Sequence, residues 1–377
     1  MRDNKCTMKI NLLFATLALL LTSSTAHALS TSDQDLATNS YNNAFYVVSN
    51  GAGHFVLDTQ GRAIPDKWVF WKMAEEMEAI EDAYDRSHNP IYKGMVDELY
   101  NGFVQLAGTD WSWNDYNDDI CWACIAFIRA YHVTGNHDYL NTALGNYNMM
   151  WNRAYDDKLG GGLWWNRGKS GKNACVNGPG AIVAAMLYRD GESKTYLTRA
   201  RSLVDWEVAT LVNPTTGSIA DNINAAGVVQ GGPTSYNQGT FIGACDLIDL
   251  GMKSKTYDTD ANLAASFVEN KMSGRKLDGV LNDCYGDGQG ASDVAGFNGI
   301  FARWVGRWIK DSGHTEYDAW LVRSAEAAWN CRNPSGISWG HWWEPTPSGS
   351  NLTAWECSDT VAMVNDVPDL MADDALR

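Results

Sequence analysis

The chain has 377 residues, and its 45 acidic against 29 basic side chains give a formal net charge of −16. So acidic a balance excludes nucleic acid and an anionic membrane surface as partners, because both need a basic face. A neutral or cationic substrate stays open. The length suffices for a large core, so its eight cysteines need not form a disulfide scaffold.

In chain order, Arg2, Lys5 and Lys9 precede an apolar run, Ile10 to Leu21, and an exit at Ala26-His27-Ala28. A basic start, a stretch too short to span a bilayer and an A-x-A exit predict a secretory signal peptide over residues 1–28. The mature protein is then residues 29–377, expected to be one secreted, extracellular domain, periplasmic if the source is bacterial. No other run is long enough to cross a membrane. The acidic tail from Val367 to Arg377 lacks the hydrophobic stretch of a lipid-anchor signal.

Four places share one punctuation, a helical run closed by glycine with a tyrosine opening the next run. They are Gly135 before Tyr139, Gly191 before Tyr196, Gly251 before Tyr257 and Gly313 before Tyr317. Glycine fits the left-handed residue that ends a helix, and short gaps imply antiparallel partners. Recurrence at a near-constant spacing marks a repeated supersecondary unit. Helical periodicity places one set of helix starts near Asp66, Asp118, Asn173, Asn237, Asp293 and Glu356. A second set starts near Ser32, Asn89, His137, Ser193, Thr256 and Thr315. Strand-like alternation is scarce, with Gly227-Val228-Val229-Gln230 the one hairpin arm expected. The prediction is an all-α fold in which six helical hairpins close into a ring, an inner layer inside an outer one.

In such a ring the inner helices run the same way, so their starts crowd one end. The loops before those starts carry Trp111, Trp113, Trp164, Trp165, Tyr236, Tyr285, Trp339, Trp342 and Trp343. Sites sit on loops held by rigid scaffolds, which places the site at this aromatic end. Broad aromatic faces stack on the C–H faces of sugar rings, and Trp113, Trp164 and Trp165 are the expected platforms. Tryptophans inside helices, such as Trp304 and Trp308, read as core packing.

The chemistry-bearing segment is Trp113-Asn114-Asp115-Tyr116-Asn117-Asp118-Asp119. Acids at a helix start can be plain caps favoured by the macrodipole. Consecutive helical residues point about 100° apart, however, so adjacent acids converge on one ligand only where the backbone is not yet helical. There, free N–H groups can hold one carboxylate ionised while its charge raises the neighbour's proton affinity, as a nucleophile and a general acid require. Other chemistries find little support: H-E-x-x-H is absent, and Gly162 to Ser170 misses the phosphate-loop spacing. Cys121-x-x-Cys124 has no second pair and reads as helix packing, and Cys175 and Cys245 as plain core. Cys331 and Cys357 flank one loop, and their pairing is left open. Asp283, Asp287 and Asp293 miss the calcium-loop spacing. Neither a metal nor an organic cofactor is expected.

These residues resemble glycoside hydrolase family 76, the endo-α-1,6-mannanases and related fungal wall proteins. The resemblance rests on Asn117-Asp118-Asp119 with Trp122, Gly160-Gly161-Gly162-Leu163-Trp164-Trp165, Lys172-Asn173-Ala174 with Asn177-Gly178, and Ser235-Tyr236-Asn237-Gln238-Gly239, in that order. It implies an (α/α)6 barrel that hydrolyses α-1,6-mannosidic bonds with retention of configuration, Asp118 as nucleophile and Asp119 as acid/base. It also implies sugar contacts from Asn117, Trp122, Asn173, Tyr236, Gln238 and Phe297 beside the loop tryptophans, with α-mannan as partner and a monomeric enzyme. At Gly296-Phe297-Asn298-Gly299, Asn298 stands where many relatives carry lysine. Two alternatives remain: a transglycosidase using the same residues, and a mannan-binding protein without turnover.

Overall fold

The computed structural model describes residues 29–64, 66–281 and 293–367. The predicted signal peptide and the expectations placed on Asp283, Tyr285 and Asp287 lie outside the described residues.

Twelve α-helices are described. The outer ones are α1 (Thr31–Phe45), α3 (Pro90–Ala107), α5 (His137–Ala154), α7 (Lys194–Thr210), α9 (Asp258–Phe267) and α11 (Asp318–Asn330). The inner ones are α2 (Phe70–Ser87), α4 (Asn117–Thr134), α6 (Ala174–Arg189), α8 (Ser235–Met252), α10 (Phe297–Ser312) and α12 (Ala354–Asp366). Each inner helix packs on the next, and α12 returns to α2, so the inner ring closes. The predicted all-α barrel of six helical hairpins is what the chain forms.

The two layers differ in sequence because they differ in burial. Helix α3 buries one stripe, Tyr92, Met95, Val96, Leu99, Tyr100, Phe103 and Ala107, at helical spacing. Helix α6 is buried without interruption from Ala174 to Leu187, which is why its sequence is small and apolar on every face. Local chemistry sets the starts. Asn89 caps α3 through Ile91 N–H with Pro90 in its first turn, and Thr353 and Glu356 form a capping box on α12.

Gly135 and Gly313 end α4 and α10 in the left-handed conformation at φ 78° and 84°. Gly251 does not end α8. Left-handed Lys253 does, at φ 55°, and Gly251 instead lies close to Tyr188, whose ring a Cβ would approach to 3.3 Å. Two small sheets ride on the barrel. Strands β1 (Tyr46–Ser49) and β2 (Ala52–Phe55) pair antiparallel, as do β3 (Gly171–Asn173), β4 (Asn222–Asn224) and β5 (Val229–Gln230) in that order. The expected arm at Val229 is β5; the other strands were not anticipated. Cys331 and Cys357 are both buried free thiols.

Candidate active site

The starts of all six inner helices meet at one end. Cys175 on α6 lies 3.4 Å from Asp118 on α4, and Trp122 lies 6.3 Å, centroid to centroid, from Tyr236 on α8. Tyr236 packs 3.9 Å from Phe297 on α10. Trp355 on α12 packs on Trp71 of α2 and donates to the carbonyl of Asp293, whose carboxylate Lys72 of α2 reaches at 2.9 Å. Orphan N–H groups of the inner helices are thus gathered at one mouth.

Asp118 and Asp119 occupy the first turn of α4. Asp118 Oδ2 accepts the indole N–H of Trp165 at 3.0 Å and the thiol of Cys175 at 3.4 Å. Burial pushes its carboxyl up to about 6, against the opposing pull of Trp165, Cys175 and the N–H groups of residues 118 and 119. Asp119 is 9% exposed and accepts from Asn114 Nδ2 at 2.9 Å. Burial, and then the charge of Asp118, raise it well above the ordinary carboxylate range. Among the described residues no cation pairs with either acid, and the Asp118 charge that raises Asp119 makes Asp118 the first to ionise. One carboxylate and one carboxylic acid side by side can offer an attacking group and a proton at a single locus.

The expected sugar-contacting residues separate into two groups. Trp165 is half-buried beside Asp118, with Tyr116 packed 5.1 Å away. Tyr236, half-buried, leads an aromatic wall across α4, α8 and α10, backed by the buried rings of Phe297 and Trp122. Trp113 is half-buried, edge-on to Phe70, with Lys67 Nζ 3.8 Å above its ring. Asn173 caps α6 without a side-chain cap bond, and its carbonyl accepts Asn177.

The second group is turned inward. Gln238 is fully buried, accepting Ile219 N–H at 2.7 Å and donating to the carbonyls of Gly217 and Ala264. Its whole amide is spent tying the 217–219 turn to α8 and α9, so it shapes the wall from behind. Asn117 is likewise buried, donating to the Trp164 carbonyl at 2.7 Å and accepting Arg153 at 2.7 Å. Trp164 is 3% exposed, with its N–H on Asp156, so it offers no open face to a sugar. Trp111 and Trp342 are buried too, which makes them core rather than site.

Sequence reasoning missed Asn114, Arg153 and Cys175. Arg153 on α5 holds the 114–117 loop through Asn117 Oδ1 and the Asn114 carbonyl, each at 2.7 Å. Asn114 sits in the same acidic motif and turns that loop by accepting Tyr116 N–H. Cys175 was read as plain core; it is buried, but against a carboxylate. Beyond Asp293 a cavity of about 170 Å³ is lined by Asn298, Trp339, His341, Leu352, Glu356 and Asp359.

A closed α-barrel with paired acids and an aromatic wall at its mouth defines a carbohydrate-active hydrolase of the helical-barrel class. The model of glycosyl hydrolase family 76 matches residues 24–373, and the chain belongs to that family. Among solved structures it is similar to the GH76A α-1,6-mannanase of Salegentibacter sp. HEL1_6, at 26% identity over 89% of this chain and 98% of that one, with a TM-score of 0.78. An inactive variant of that enzyme, with two consecutive aspartates changed to asparagine, is known in complex with α-1,6-mannotriose. The fold is shared with the Lin0763 protein of Listeria innocua, at 24% identity, a TM-score of 0.77 and coverage of 92% and 97%. It is shared too with Dfg5 of Chaetomium thermophilum, at 20% identity, a TM-score of 0.72 and 89% of each chain. No curated protein sequence matches the chain.

Proposed function

We propose that the protein is a secreted, endo-acting glycoside hydrolase that cleaves α-1,6-mannosidic bonds of α-mannan with retention of configuration. Residues 29–377 act as one monomeric catalytic domain after removal of residues 1–28. The observation that carries this reading is the acid pair itself: Asp118 in contact with two neutral donors and raised to about 6, Asp119 raised further by its neighbour's charge.

In the first step Asp118 attacks the anomeric carbon, and the bond to the leaving oxygen breaks as Asp119 gives that oxygen its proton. In the second, Asp119, now a carboxylate, takes a proton from water, whose oxygen displaces Asp118 and restores both groups. Trp165 and Tyr236 supply faces for the sugar rings. The named activity of the Salegentibacter relative supports α-1,6-mannan as substrate.

Incubation with linear α-1,6-mannan is the test. An endo-acting hydrolase yields a ladder of oligosaccharides early, before mannose accumulates. Mannose alone from the outset contradicts endo action. Products longer than the substrate, formed only with added acceptor, indicate transglycosylation, and no turnover leaves a mannan-binding protein.

A further inference from the structure

The loop that delivers Trp165 to Asp118 is fastened from beneath by one buried charge. Lys172 on β3 is fully buried. Its Nζ lies 3.0 Å from Asp156 Oδ1 and 2.9, 2.7 and 2.6 Å from the carbonyls of Asp156, Lys158 and Gly161. Such convergence is what a buried ammonium requires, because an unpaired one is strongly disfavoured. The turn it gathers includes Leu159 at φ 55° and Gly160, Gly161 and Gly162 at φ 84°, 116° and 78°. A non-glycine residue in that region persists only where its surroundings over-determine it.

The fastening runs on to the acid. Asp156 also accepts the Trp164 indole N–H at 2.9 Å, while the Lys172 ammonium lies 4.9 Å from the Trp164 ring centroid. Trp165 N–H donates to Gly171, the residue before Lys172, at 2.9 Å, and its carbonyl accepts Asn117 N–H at 2.8 Å. The Trp165 indole then donates to Asp118.

We propose that Lys172 is a positioning residue: clamped to Asp156, it fixes the 156–165 loop so that the Trp165 indole N–H is aimed at Asp118. Lys172 touches no substrate. The proposal rests on Asp118 being the nucleophile.

The test is the pH dependence of kcat/KM on linear α-1,6-mannan for the native enzyme, Trp165→Phe, Lys172→Met and the double variant. Loss of a donor raises the affinity of Asp118 for its proton, so each single variant moves the acidic limb up by about one pH unit. The double variant moves it no further than Trp165→Phe alone, since both act on one hydrogen bond. A Lys172→Met enzyme that melts at lower temperature with its limb unmoved overturns the proposal, as does an additive shift in the double variant. If Lys172→Met fails to fold, Asp156→Asn reads the same limb from a side chain that is 25% exposed. If the native enzyme does not turn over mannan, carbon-13 NMR titration of the Asp118 carboxyl reads the same shifts without substrate. Failure of the catalytic reading is thereby kept apart from failure of the clamp.

Discussion

Two groups of buried acids in this barrel differ in the neighbours that face them. At the mouth, Asp118 and Asp119 are contacted by neutral donors and both are raised. Inside the ring, α2 presents Glu75, Glu78 and Asp82 to two buried arginines. Arg129 of α4 reaches Glu78 at 2.9 Å and Asp82 at 2.6 Å, and Arg303 of α10 reaches Glu75 at 2.6 Å and Asp82 at 2.8 Å. Burial disfavours the charge on Asp82 as it does on Asp118, yet Arg129, Arg303 and Arg307 outweigh it and hold Asp82 below its ordinary value. Glu75, in the same cluster, is raised to about 8 by burial and by Glu78, so the arginines do not keep every acid ionised. Burial alone therefore does not set protonation: Asp82, shared by three arginines, is held ionised, while Asp118 and Asp119, with no cation paired to them, are raised as Glu75 is.

The largest expected effects are on turnover. Asp118→Asn should lower kcat by on the order of 10³-fold or more on every substrate, since it removes the attacking group. Asp119→Asn should cost about 10²–10⁴-fold on mannan but much less on glycosides with activated leaving groups, which need little protonation. Steady-state kinetics on both substrate types checks this, and equal, modest losses would break the assignment.

Smaller and opposite effects on stability sharpen the contrast. The folded-state value of Asp82 is depressed, so its stabilising contribution is present above its unfolded value and is lost as pH falls through the folded one. The value for Asp118 is raised from 3.8 to about 6, so ionising it penalises the folded state increasingly across that window. At pH 7, Asp118→Asn should then stabilise the protein by on the order of 1–3 kcal/mol. Arg303→Met, which strands buried carboxylates, should destabilise it by about 3–5 kcal/mol. Denaturant unfolding at pH 7 reads both signs, and a destabilised Asp118→Asn would remove the distinction between the two regions.

The helical frame was legible because its signals are local. Caps such as Asn89-Pro90, the glycines at 135 and 313, and the contrast between striped and wholly apolar helices are each written within one turn of chain. The β1–β2 hairpin carried a signal that went unread, Asn50-Gly51, whose positive φ values of 53° and 75° suit a two-residue turn. The paired-acid segment was legible because adjacency, helix start and acid type coincide at Asp118-Asp119.

What stayed hidden depends on partners distant in sequence. Nothing in a loop tryptophan says whether it faces a cleft, like Trp165, or seals a core, like Trp111 and Trp342. Gln238 looked like a sugar contact until Ile219, Gly217 and Ala264 consumed its amide. Arg303 meets Asp82 across 221 residues, a pairing that only ring closure creates.

The central claim is that Asp118 attacks the sugar and Asp119 protonates the leaving oxygen. Proton NMR of the first-formed reducing end, recorded during hydrolysis of α-1,6-mannotetraose before mutarotation, tests it most directly. Two successive displacements at the anomeric carbon predict the α-anomer first, with the β-anomer appearing only as the signals equilibrate. A β-anomer formed first would mean a single displacement by water, and Asp118 would not be the nucleophile.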